Sequence, residues 1–109
     1  MDNKMINTHY NYTLADGTTV PMTLTFYALY QLKGKNEALY KRYNRVLSEQ
    51  ASKNYIYDEL DNMTVLYTAY CCAHINNENM MSEEEFLVAC GSNRKIVGEA
   101  IKALLAPKN

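Results

Sequence analysis

Apolar positions alternate near the start of the chain and then recur every third or fourth residue. From His9 to Phe26 the apolar side chains are Tyr10, Tyr12 and Leu14, then Val20, Met22, Leu24 and Phe26. A period of two places them on one face of a pleated ribbon. Between the two runs stands Asp16-Gly17, a dipeptide that readily takes the positive φ angles of a tight turn. Together these residues predict a β-hairpin over about 9–25. Pro21 has no N–H to give to a ladder, so it marks an edge or the outward side of the second strand.

Helical spacing follows. Phe26, Leu29, Tyr30 and Lys33 form a short stripe that predicts a helix over 26–33, ended by Gly34. Asn36 is placed to cap the next helix, with Glu37 near the positive end of its dipole. Leu39, Tyr40, Tyr43, Val46 and Leu47 carry that helix over 37–52. The longest helix is expected over 58–75, with a stripe of Leu60, Met63, Leu66, Tyr67, Tyr70, Cys71, His74 and Ile75. Asn76 to Asn79 has no apolar period and reads as a loop. Ser82 and Glu85 have the spacing of a capping box, opening a helix over 83–90 that Gly91 closes. Ser92 is expected to cap a last helix over 93–105, built on Ile96, Val97, Ala100, Ile101, Leu104 and Leu105, with Pro107 beyond its end.

The fold class expected is therefore α+β, mainly α: an N-terminal β-hairpin and a bundle of four to five short helices. The 109 residues give room for a single domain over 1–109. A 48% hydrophobic, 21% charged chain has the composition of a globular protein and not of a disordered tail. An isolated two-stranded ribbon is marginal in water, so its apolar face must pack on the helices or pair with another chain. Its edge is the first candidate for homo-oligomer contact.

Charge and cysteine content narrow the function classes. A net charge of −1 creates no global field favouring nucleic acid or acidic lipid. Cys71, Cys72 and Cys90 are odd in number and lack a C-x-x-C pair, which argues against a disulfide framework and for a reducing compartment. The start, Met1-Asp2-Asn3-Lys4, has no apolar signal region, and the longest uncharged run, Met63 to Ile75, is too short and polar to span a bilayer. The expected location is the cytoplasm.

Candidate chemistry is sparse. Cys71 and His74 lie one helical turn apart, a spacing that suits a metal or a Cys–His nucleophile. No second paired spacing completes a four-ligand set, so the competing reading makes Cys71 core and His74 a helix-end residue. The Asn76–Phe86 stretch lacks the central Gly of a calcium loop. Nucleotide-binding glycine loops, zinc-protease and nucleophile-elbow motifs are all missing. No enzyme activity and no cofactor is expected.

Two binding functions remain. Glu84 to Val97 has the outline of a DNA-binding helix-turn-helix within 83–105, with Arg94, Lys95 and Lys102 available for phosphates. Against it, the supporting helix begins with three Glu that would repel the backbone. The recognition helix also lacks Gln or a second Arg at its early exposed turns, so nucleic acid is the less favoured partner.

The other is a protein-binding module. Four segments carry a resemblance: Tyr12-Thr13-Leu14-Ala15-Asp16-Gly17; Leu24-Thr25-Phe26-Tyr27-Ala28-Leu29-Tyr30; Leu60 to Tyr70; and Met81-Ser82-Glu83-Glu84-Glu85-Phe86-Leu87. Their order resembles the small tail assembly chaperones of long-tailed phages and prophages of Gram-positive bacteria, over almost the whole chain. The resemblance implies a non-enzymatic protein of the host bacterial cytoplasm. It would bind the tape measure protein, keep its long helical segments in solution, and assist polymerisation of the tail tube protein around it. Such a role needs apolar and aromatic surface for a partner helix. Helical spacing offers Tyr40, Tyr43 and Leu47, or Tyr67 and Tyr70, as that partner-binding surface, or else as this domain's own core. Many chaperone genes of this kind end at a programmed frameshift. The ending Pro107-Lys108-Asn109 is one that CCA-AAA-AAC, with its slippery heptamer A-AAA-AAC, would encode.

Overall fold

Strand β1 (His9–Thr13) pairs antiparallel with β2 (Thr19–Thr23), with Tyr10 opposite Met22 and Tyr12 opposite Val20. The structure, a computed structural model, describes residues 9–106. The expected Pro107 stop and the Lys108-Asn109 ending lie outside the described residues. The period-two face is real: Tyr12, Leu14 and Met22 are buried, and Tyr10, Val20 and Leu24 pack half-buried beside them. Pro21 sits opposite Asn11 on the exposed face.

The turn differs from the tight dipeptide expected. Residues 14–18 form the connection, and only Gly17 takes a positive φ, of 92°. Asp16 acts through its side chain instead. Its Oδ1 accepts from Thr18 N at 2.9 Å and from Thr18 Oγ1 at 2.8 Å, and these bonds hold its carboxyl below the ordinary range.

Five helices follow: α1 (Phe26–Lys35), α2 (Glu37–Gln50), α3 (Glu59–Ala73), α4 (Glu83–Cys90) and α5 (Arg94–Leu105). The architecture is thus α+β and mainly α. Polar caps explain most boundaries. Thr25, Asn36, Asp58, Ser82 and Asn93 each accept a first-turn backbone N–H through the side chain, and Ser82 with Glu85 completes a reciprocal capping box. Two boundaries depart from expectation. Gly34 lies inside α1, which ends at Asn36, where one residue closes α1 through its N–H and caps α2 through its side chain. Asn93, not Ser92, caps α5.

α3 is the central element. Every residue from Thr64 to Cys72 is buried, so the helix has no solvent face in its middle. A helix covered all round must have its polar groups satisfied locally. Thr68 Oγ1 donates to Thr64 O at 2.7 Å and Thr64 Oγ1 to Leu60 O at 3.3 Å. The hairpin lies on α3 through β2 and on α5 through β1, while α1 and α2 cover the rest of α3. Phe86, from the short α4, is fully buried between the rings of Tyr67 and Tyr70, at centroid distances of 5.4 and 5.2 Å.

Among the residues expected in buried stripes, Phe26, Tyr30 and Leu60 face solvent most fully, and Leu105 is 37% exposed at the end of α5. α1 buries Ala28 and Leu32, which leaves Phe26 91% and Tyr30 73% exposed. The packed side of α1 is the one whose small Ala28 admits close helix approach, and the larger rings turn outward. Leu60 is 62% exposed, on the side of the first turn of α3 that faces the gap between α4 and α5.

Candidate protein-binding site

Sequence spacing puts Tyr40, Tyr43, Leu47, Tyr67 and Tyr70 forward as partner-facing residues. Three of these are core rings in the fold. Tyr43 packs with Val46 and Val65 between α2 and α3, and burial pushes its phenol up to about 12. Tyr67 and Tyr70 grip the chain's own backbone from both sides of one residue. Tyr67 Oη donates to Met81 O at 3.0 Å, and Met81 N donates to Tyr70 Oη at 2.8 Å. Tyr40 and Leu47 are half-buried, with Lys33 Nζ 5.6 Å from the centre of the Tyr40 ring. The spacing that marks an interface helix also marks a core helix, and here the domain's own segments occupy those faces.

Tyr70→Phe is expected to cost about 1–3 kcal/mol, because it leaves the Met81 N–H without its acceptor. Tyr67→Phe should cost less, since a carbonyl with two lone pairs tolerates a lost donor better. Urea unfolding of the two variants checks both the size and the order.

Cys71 and His74 do not face a common point. Cys71 is fully buried, while His74 Nδ1 lies 2.7 Å from Tyr70 O, with its ring against that of Tyr70 at 4.3 Å. Among the described residues no three His, Cys, Asp or Glu side chains are grouped to hold a metal ion. All three thiols are buried, and desolvation raises Cys71 to about 11 and Cys72 to about 12 from an ordinary 9.0. The folded state therefore holds these protons more tightly than the unfolded chain. Their stabilisation is complete below pH 9 and is lost as the pH rises through 11 to 12. At neutral pH a thiol reagent should leave the native protein unmodified and titrate three groups once urea unfolds it.

Apolar surface without an internal partner gathers where α3, α4 and α5 begin and end. A groove of about 240 Å³ runs between the first turn of α3, the end of α4 and the start of α5, lined by Tyr57, Leu60, Met63, Leu87 and Val97. Of the lining side chains, Tyr57 is 67% and Leu60 62% exposed. Gly98 adds no side chain to the groove wall. At the rim Arg94 clasps Glu59 through two bonds, Nε to Oε1 at 2.6 Å and Nη2 to Oε2 at 2.9 Å. These bonds depress the Glu59 carboxyl. Gln50 donates to Asn62, and Asn62 donates to the Tyr57 hydroxyl, both at 3.3 Å.

A local signal for this surface exists in the sequence. A hydrophobic residue just before a helix cap normally packs on the fourth helical residue. Tyr57 precedes the cap Asp58, but the fourth position is the polar Asn62, so this helix start lacks the usual apolar pair. Volume indicates what the groove can take. Small-molecule sites span roughly 300–1,000 Å³, and this groove is below that range. It has room for a few projecting side chains of another polypeptide.

The helix-turn-helix stretch does place α4 and α5 around Gly91, but Arg94, its first phosphate candidate, is occupied by Glu59. Glu83 of α4 binds Arg42 of α2 at 2.6 Å, and Glu84 beside it is exposed. No described helix is long and apolar enough to cross a membrane. Comparison with known protein families, curated proteins and solved structures finds no match to this chain.

Proposed function

We propose that this protein is a non-enzymatic tail assembly chaperone of a long-tailed phage or prophage, acting in the host bacterial cytoplasm. It holds helical segments of the tape measure protein, and through them serves the polymerising tail tube protein. The observation that carries this reading is the open groove around Leu60. Its apolar walls, with the exposed Tyr57 and Leu60 among them, suit the apolar face of an amphipathic helix. The segment order that resembles the tail chaperones supports the same assignment.

The test is co-expression with a tape measure protein, recognised as the product of a long reading frame rich in apolar heptads beside this gene. The two should co-purify, and Leu60→Asp should weaken the complex at least about tenfold, equivalent to about 1.4 kcal/mol. Leu60 is exposed, so the variant keeps its fold and the loss reports on binding. Salt-dependent retention of promoter DNA, with no such complex, would overturn the reading in favour of a regulator.

A further inference from the structure

Among the described residues, apolar surface is open on α1, at the exposed rings of Phe26, Tyr27 and Tyr30, and in the Leu60 groove. Nothing in the structure selects an occupant for the α1 rings. The groove differs, because one residue of its wall sets its depth.

Gly98 stands inside α5, which continues beyond it to Leu105. Glycine is among the least favourable residues in a helix interior, because it has the most backbone freedom to lose. Its φ is not positive, so the backbone does not demand glycine there. Among the described residues, nothing outside its own stretch of helix comes within 4 Å of where its Cβ would stand. Internal packing therefore does not demand glycine either, and the domain would gain stability from alanine at this position.

Gly98 lines the Leu60 groove together with Val97 and with Arg94, four residues before it. Residues four apart share a helix face, so a side chain at 98 would project toward the groove as Arg94 does. The groove measures about 240 Å³, and one added side chain would take a sizeable share of it. Without one, the backbone of α5 is open to close approach. Gly34 of α1 has the same free space around its missing Cβ, but it lies outside this groove.

We propose that Gly98 is the specificity-determining residue of the groove: a bulky apolar side chain of the docked helix rests on the bare α5 backbone there, among Leu60, Leu87 and Val97. The glycine weakens its own helix and gives the groove its depth. This inference rests on the groove as the helix-docking site of the proposed function.

Thermal unfolding of the full chain, with competition against the wild type for a co-expressed tape measure protein, tests it. Gly98→Ala should raise the unfolding midpoint by about 2–6 °C. In the same variant the complex should weaken at least about fivefold, the lower end for forcing an extra methyl into a packed contact. Gly98→Leu keeps a good helix former and should weaken the complex further. Gly34→Ala is the matched control and should compete as the wild type does. A lowered midpoint in Gly98→Ala would show that the fold itself needs the glycine, and would overturn the proposal. An equal loss of binding in Gly34→Ala would overturn it too, because the loss would not belong to the groove. Full binding in both Gly98 variants, with Leu60→Asp still impaired, removes this inference and leaves the groove as a helix site. A complex that Leu60→Asp does not weaken removes the groove reading as well.

Discussion

Replacing Phe86 with Ala should lower the unfolding free energy by about 3–5 kcal/mol, the usual cost of emptying a buried aromatic site. The ring is fully buried and touches both Tyr67 and Tyr70, so its removal opens a cavity between α3 and α4. α4 has only eight residues and cannot hold itself together by helix propensity alone. A domain of this size has about 5–15 kcal/mol in total, so the loss is a large share of its stability. Urea denaturation followed by circular dichroism measures the change. A loss below about 1 kcal/mol would show that α4 is not seated on the central helix as described.

Gly91→Ala is the second large effect. Gly91 has φ 67° and ψ −139°, a conformation that side-chain-bearing residues rarely adopt. An added Cβ would also stand 3.0 Å from Ala15 Cβ, where the hairpin connection docks on α4 through the Ala15 N to Ala89 O hydrogen bond of 2.9 Å. Backbone strain alone costs about 1–3 kcal/mol, and displacing Ala15 adds to it. Gly17→Ala is the matched control. Its φ is also positive, at 92°, but an added Cβ would meet nothing within 4 Å. The Gly91 variant should therefore lose clearly more stability than the Gly17 variant. Equal losses would mean that the hairpin is not fixed to α4.

Local chemistry made most element boundaries legible in the sequence. Asn36 and the Ser82–Glu85 pair mark helix starts because a short polar side chain at that spacing has an orphan backbone N–H to meet. The hairpin face was legible because period two admits no other regular structure. What spacing could not assign was which apolar face finds a partner inside the chain. Tyr43, Tyr67 and Tyr70 have the same spacing as interface residues, yet α2, α3 and the Met81 backbone take them up. Phe26, Tyr30 and Leu60 fit buried stripes equally well, yet α1 packs through Ala28 and Leu32, and Leu60 faces a gap between α4 and α5. Long-range packing decides those cases. Gly34 was misleading because a glycine stops a helix only where the backbone needs a positive φ, and at Gly34 it does not.

The ten tyrosines sum up this division. Tyr12, Tyr43, Tyr67 and Tyr70 are buried, whereas Tyr27, Tyr30 and Tyr57 are exposed and flank the two open apolar surfaces. A ring with an apolar body and a polar tip serves either place, so composition alone leaves the choice open.

Amide hydrogen exchange on this chain with and without a co-expressed tape measure protein tests the proposed function most directly. Binding of a helix in the Leu60 groove predicts added protection over residues 57–63 and 91–98, with the hairpin at 9–23 unchanged. Protection confined to the hairpin, or none outside the protein's own core, would contradict the groove as the partner site.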